Sequence, residues 1–246
     1  MLANHPLSEP IRRASAAARA AGTPYIVGIG GSVAVGKSTF AGSLATAIAA
    51  WPEAPLVDAI ATDGFLLPNA VLAERGIALR KGFPESFDVE AMRAALTAVK
   101  SGAPTPLPRY SHATYDVDPN NALLVERPSV LILDGLHLAQ IERDGAPRLI
   151  DFLIYLDADE AHIESWFADR LVPLMVEGRD DPRSFYYQFR DWDDAQRRDF
   201  ATRVWNGINL PNLREHIVND RDAAHAVVRK GPDHDIAQIA LRREHR

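Results

Sequence analysis

Short apolar runs that stop at glycine or at an acid recur along this chain. Residues 25–29 read Tyr-Ile-Val-Gly-Ile, 129–133 read Ser-Val-Leu-Ile-Leu, and 150–156 read Ile-Asp-Phe-Leu-Ile-Tyr-Leu. Runs of this length with little alternation are the pattern of strands buried on both faces, as in parallel sheets. Shorter runs at 56–61 and 226–229 predict two more strands. Helices are predicted at 11–21, 39–50, 69–79, 160–172 and 236–243, and at 89–100. In the last of these Val89, Met92, Leu96 and Val99 share one face behind Asp88 as N-cap. Strands alternating with helices predict an α/β fold, a mostly parallel sheet flanked by helices.

The breaks are equally informative. Residues 101–108 carry three prolines and predict an extended connector, 109–116 are polar and aromatic as in a surface hairpin, and 208–213 predict a turn. Within 177–200, Phe185, Tyr186, Tyr187, Phe189 and Trp192 stand among many charges. They either wall a pocket or form the core of a helical hairpin.

One break carries chemistry. Gly31, Ser32, Val33, Ala34, Val35, Gly36, Lys37 and Ser38 fit the phosphate-loop pattern G-x-x-x-x-G-K-[ST], and Thr39 continues into the predicted helix. A strand feeding a glycine-rich turn that opens a helix aims backbone N–H groups and the positive helix end at one point, which suits phosphate. Gly31 and Gly36 allow positive φ and close approach; Lys37 suits the β- and γ-phosphates of a nucleoside triphosphate, and Ser38 suits Mg²⁺. Two further strand ends close on acids. Asp63 follows the 56–61 run and is a candidate base for a substrate hydroxyl; Asp134 follows 129–133 in the position of a metal-contacting carboxylate. Arg170 lies in the predicted 160–172 helix, where a lid arginine meets a transferring phosphoryl group.

Composition narrows the classes. The chain has 246 residues, 47% of them hydrophobic, and a net charge of −6, without the basic surplus expected of a nucleic-acid binder. It has no cysteine, which removes disulfides, thiolate metal sites and cysteine nucleophiles. No apolar run approaches the roughly 18 residues that span a bilayer. The first residues lack a basic start followed by an apolar signal core, so a cytoplasmic enzyme is expected. No Asn-Lys-x-Asp guanine signature occurs, which argues against a GTP switch.

With these residues placed, the chain resembles the bacterial type I pantothenate kinases, within the P-loop group that includes uridine kinase and phosphoribulokinase. The stretches that carry the likeness are 31–39, Thr62-Asp-Gly-Phe-Leu, Lys81-Gly-Phe-Pro-Glu-Ser-Phe-Asp, Tyr110-Ser-His-Ala-Thr-Tyr-Asp-Val, Leu131-Ile-Leu-Asp-Gly-Leu and Ile208-Asn-Leu-Pro-Asn-Leu. The resemblance implies one P-loop kinase domain over 1–246, with an N-terminal arm and helix at 1–22 and a helical lid and substrate region at about 160–212. It implies ATP and Mg²⁺ as cofactors, a small-molecule substrate and a homodimer. Lys37 and Ser38 match the ATP and Mg²⁺ residues, Asp63 the base, and Arg170 the phosphate-stabilising arginine. Tyr110, His112, Phe167 and Asn209 match positions near the pantothenate site, and His234 the residue that stacks adenine. Asp134-Gly-Leu-His137 replaces the family's Glu-Gly-Leu-Asn, Phe167 replaces a tyrosine, and Leu171 and Leu174 replace phenylalanines. Gly42 replaces an arginine used in feedback inhibition by coenzyme A, so that inhibition is expected to be weak. The alternatives are a related kinase for a nucleoside or sugar, and a non-catalytic nucleotide-binding protein.

Overall fold

The computed structural model describes residues 5–142 and 147–242. Six strands form the main sheet in the order β2-β5-β1-β6-β7-β8. They are β1 (Tyr25–Gly31), β2 (Val57–Ala61), β5 (Val130–Asp134), β6 (Phe152–Asp157), β7 (Ala226–Lys230) and β8 (Ile236–Leu241). The first five run parallel, and β8 returns antiparallel to β7. Every residue of β1 is buried, as are all five of β5, because helices cover both faces. α1 (Ser8–Ala20), α2 (Lys37–Ala49) and α4 (Val89–Lys100) pack around it, the last capped by Asp88, whose Oδ1 accepts from the Ala91 N–H at 2.9 Å. Arg12 of α1 forks onto Glu53 at 2.7 Å.

Register decides where the functional residues meet. Ile29 of β1 and Ala61 of β2 both lie opposite Asp134 of β5, so the carboxyl ends of three strands are level. This is the edge where open α/β sheets bind ligands.

Several predicted elements differ. The 69–79 helix stops early: α3 is Asn69–Glu74, and Gly76 at φ +68° ends it. Residues 101–108 are only in part a connector, since β3 (Thr105–Ser111) pairs with β4 (Asp116–Val125) in a separate two-stranded sheet. Pro106 and Pro108 are tolerated because both strands of a two-stranded ribbon are edges. α5 (Glu160–Glu177) continues through Pro173 beyond the predicted end.

The 208–213 stretch is not a turn. It lies within a helical run from α6 (Asp194–Val204) through α7 (Leu210–Asn212) to α8 (Val218–Ala223), joined by π-type turns at Trp205–Asn209 and Leu213–Ile217. A wider turn just before Pro211 relieves the clash and missing donor that proline brings to a regular helix. The predicted 236–243 helix is strand β8, with Arg243 outside the described residues. Its Ala, Gln and Leu favour helix locally, but pairing with β7 supplies the backbone partners and wins.

The aromatic stretch serves both readings offered above. Tyr186 and Phe189 join Met175 in a small buried cluster, while Phe185 and Tyr186 also face the cavity described next.

Candidate active site

Strand β1 ends at Gly31 and α2 begins at Lys37, so the intervening loop wraps the amino end of a 13-residue helix. Gly31 at φ +140°, Ala34 at +62° and Gly36 at +89° give the loop its inward curl. A Cβ at Gly31 would stand 2.6 Å from the Leu156 carbonyl oxygen, which bars any other residue there. Lys37 Nζ donates to the Ser32 carbonyl at 2.8 Å, bridging the loop it belongs to. Ser38 Oγ donates to Asp134 Oδ1 at 3.1 Å, so hydroxyl and carboxylate stand together as hard oxygen donors.

Charges are held close here. Burial lowers the Lys37 pKa, against the pull of Asp63 and Asp134, although part of the residue remains accessible. Burial raises the Asp134 pKa, opposed by Lys37 and by the Ser38 hydrogen bond. The Lys37 ammonium and the Asp134 carboxylate each favour the other's charged form, while Asp63 opposes the charge on Asp134.

Asp63 sits on a single 3₁₀ turn, Thr62–Phe65, at the end of β2. Thr62 is fully buried against Gly135, and Gly64 presses on the Pro108 carbonyl. No side chain fits at either glycine, so the turn is clamped between β5 and β3. Asp63 opens into a cavity of about 610 Å³ that also touches Val33 of the loop. Tyr110, His112, Phe167, Arg170 and Asn209 line the same cavity. Arg170 Nη2 stands 3.5 Å from His112 Nε2, and the His112 ring meets Tyr110 edge-on at 5.2 Å. Partial desolvation, then Arg170, lowers the His112 pKa, so its ring is held neutral. Asn209 Nδ2 is buried with no hydrogen-bond partner among the described residues, leaving a donor for a ligand. Phe167, buried, packs towards Trp205.

His234 is not in this cavity. Its ring stacks on Trp166 at 3.8 Å, on the Gly36 side of the loop, in the turn between β7 and β8. Lys230, at the start of that turn, donates to the Val35 carbonyl at 3.1 Å and so braces the loop from behind.

Sequence reasoning assigned no role to Lys81. Its Nζ donates to Asn69 Oδ1 and to the Tyr115 carbonyl, each at 2.6 Å, and lies 4.3 Å and 4.9 Å from the ring centroids of Tyr115 and Tyr110. It lines the same cavity as Asp63. Burial pushes its pKa down to about 8, with Asp116 and Asp63 opposing. A lysine beside Gly-Phe-Pro in a loop was the available signal; its partners come from α3 and from the β3–β4 hairpin.

A parallel sheet whose first strand opens a phosphate loop, with carboxylates of two neighbouring strands converging on it, defines a P-loop phosphotransferase. The chain belongs to the phosphoribulokinase/uridine kinase family, whose model matches residues 26–170. It is 44% identical over 230 residues to the pantothenate kinase of Chelativorans sp., covering 90% of this chain and 72% of that one. It is 42% identical over 229 residues to the pantothenate kinase of Xanthobacter autotrophicus, covering 89% and 71%. Among solved structures, a chain from Silicibacter sp. TM1040 provisionally named a fructose transport system kinase superposes with a TM-score of 0.68 at 24% identity. That match covers 91% of this chain and 95% of the other, and establishes the shared fold. No helix among the described residues is long and apolar enough to cross a membrane.

Proposed function

We propose that this chain transfers the γ-phosphoryl group of ATP to the primary hydroxyl of pantothenate, the first step of coenzyme A biosynthesis. The observation that carries this reading is one cavity holding a carboxylate, Asp63, and an ammonium, Lys81, and opening onto the phosphate loop at Val33. Pantothenate is an alcohol at one end and a carboxylate at the other, and needs both a base and donors.

Asp63 takes or orients the hydroxyl proton. Lys37 and Arg170 neutralise charge that builds on the transferring group, where preorganised cations contribute most. Tyr110, His112 and Asn209 bind the acceptor, and Phe167 packs against it. His234, backed by Trp166, stacks the adenine. Ser38 and Asp134 fit Mg²⁺, being a hydroxyl and a carboxylate already in contact. A bound ion would supply charge neutralisation to the nucleotide's phosphates. Residues 160–212 act as a lid over a single kinase domain, and a homodimeric, cytoplasmic enzyme completes the reading.

The test is ADP release with ATP and Mg²⁺ over pantothenate, uridine, ribulose 5-phosphate, glycerate and simple sugars. Turnover on pantothenate near 1 s⁻¹ or above, within the ordinary range for enzymes, is expected. Silence on pantothenate with turnover on another acceptor overturns the substrate assignment.

A pH dependence follows from Lys81. Its ammonium is nearly complete a unit or more below its pKa of about 8 and is lost as pH rises through that value. An anionic acceptor therefore binds best on the acid side. For pantothenate, kcat/KM is expected to fall by up to about tenfold per pH unit above that point. Lys81→Met should be weaker at neutral pH and flat across the same range. A wild-type profile flat to pH 10 would remove Lys81 from acceptor binding.

A further inference from the structure

The Gly82 carbonyl receives two side-chain donors from two remote parts of the chain. His137 Nε2 lies 2.8 Å from it, and Asn212 Nδ2 donates at 2.7 Å. A carbonyl only accepts, so the His137 tautomer carries its proton on Nε2. His137 is 3% exposed and adopts φ +56°, a left-handed conformation that a residue other than glycine holds only when its surroundings fix it. It stands three residues beyond Asp134, so the segment leaving the nucleotide end of the sheet runs directly to the Gly82–Phe83 peptide. The Phe87 ring packs edge-on to His137 at 5.9 Å.

The loop that receives these bonds is itself ordered by hydrogen bonds. Gly82 N–H donates to Ser86 Oγ at 2.9 Å, Phe83 N–H to the Arg80 carbonyl at 2.9 Å, and Ser86 N–H to the Phe83 carbonyl at 3.0 Å. Gly82 at φ +91° makes a left-handed turn between Lys81 and the carbonyl that His137 and Asn212 hold. Holding the Gly82 carbonyl therefore fixes the backbone next to Lys81, whose ammonium lies between the Tyr110 and Tyr115 rings.

We infer that His137 is a positioning residue for the acceptor: with Asn212 it clamps the Gly82 carbonyl and so holds Lys81 in the substrate cavity. It links the end of β5, which carries Asp134, to the loop that binds the acceptor and to the helical run that carries Asn209. This rests on the reading of that cavity as the acceptor site. The clamp itself rests only on the hydrogen bonds.

The experiment compares His137→Leu, His137→Gln and Asn212→Leu with the wild type by steady-state kinetics and by amide hydrogen exchange of the ligand-free protein. Leu removes the donor at similar bulk, whereas Gln restores an amide N–H at comparable reach. His137→Leu is expected to raise the pantothenate KM by about five- to tenfold, the size of one hydrogen bond, with the ATP KM unchanged. Amides of Gly82, Phe83 and Ser86 should exchange faster, while those of the phosphate loop keep their rates. Asn212→Leu should act in the same direction, and His137→Gln should recover most of both effects. Unchanged exchange at 82–86 in His137→Leu, or a glutamine variant no better than leucine, overturns the clamp. So does a parallel rise in both KM values, which marks general loosening. Wild type inactive on pantothenate sinks the proposed substrate instead, and the exchange measurement then decides the clamp alone.

Discussion

Asp63→Asn is expected to lower kcat by about 10³-fold, within the range for loss of a general base, and to leave ATP affinity nearly unchanged. Asparagine matches aspartate in shape but cannot accept the hydroxyl proton or carry the charge that orients it. The geometry keeps the comparison clean. The turn bearing Asp63 is held by Thr62 packed against Gly135 on one side and by Gly64 against the Pro108 carbonyl on the other. The substituted amide therefore stays where the carboxylate was. Measurement of kcat and of nucleotide binding on the same preparation separates the two effects. A kcat within about threefold of wild type would exclude Asp63 as the base.

Arg170→Gln is expected to reduce kcat by about 10²- to 10³-fold, the scale found when a cation facing transition-state charge is removed. Arg170 is exposed on α5, lines the cavity that touches the phosphate loop at Val33, and makes no ion pair with any of the described residues. It is therefore free of the partners that hold most other arginines here, such as Arg229 on Asp157 and Arg214 on Glu160. The closest polar group, His112, is held neutral and does not compensate its charge. A charge of this kind matters little to folding, because surface groups contribute roughly 0–1 kcal/mol. The loss should fall on kcat, with thermal stability retained. Arg179→Gln, which alters an exposed arginine beside Asp180, is the control and should leave kcat unchanged. Equal behaviour of the two variants would show that Arg170 is a surface residue.

The nucleotide half of the site was legible in the sequence because it is local. Strand, loop and helix at 25–50 are consecutive, so one motif names the residues and the backbone geometry together. Asp63 and Asp134 were legible for a related reason: each ends an apolar run, and parallel strands end level. The proposed acceptor half was legible only through resemblance. Tyr110 lies in a hairpin, Phe167 and Arg170 on α5, and Asn209 in a helical run that its proline disguised as a turn. Nothing in their spacing says that these side chains meet.

By itself, the sequence determined the α/β class, the phosphate loop, the two strand-end carboxylates and the helix that carries Arg170. These follow from short-range rules: buried strands are continuously apolar, glycines allow the curled loop, and acids cap strand ends. Tertiary structure alone decided that 236–241 is a strand, because pairing with β7 outweighs local helix propensity. It alone set the Lys81 ammonium between two tyrosine rings, with its pKa drawn down by burial. It alone brought His137 and Asn212 to one carbonyl. The ring contacts of Lys81 and the hydrogen bonds to the Gly82 carbonyl join residues 29 to 130 positions apart. Desolvation and long-range hydrogen bonds arise only when the chain has closed around them, so no local pattern encodes them.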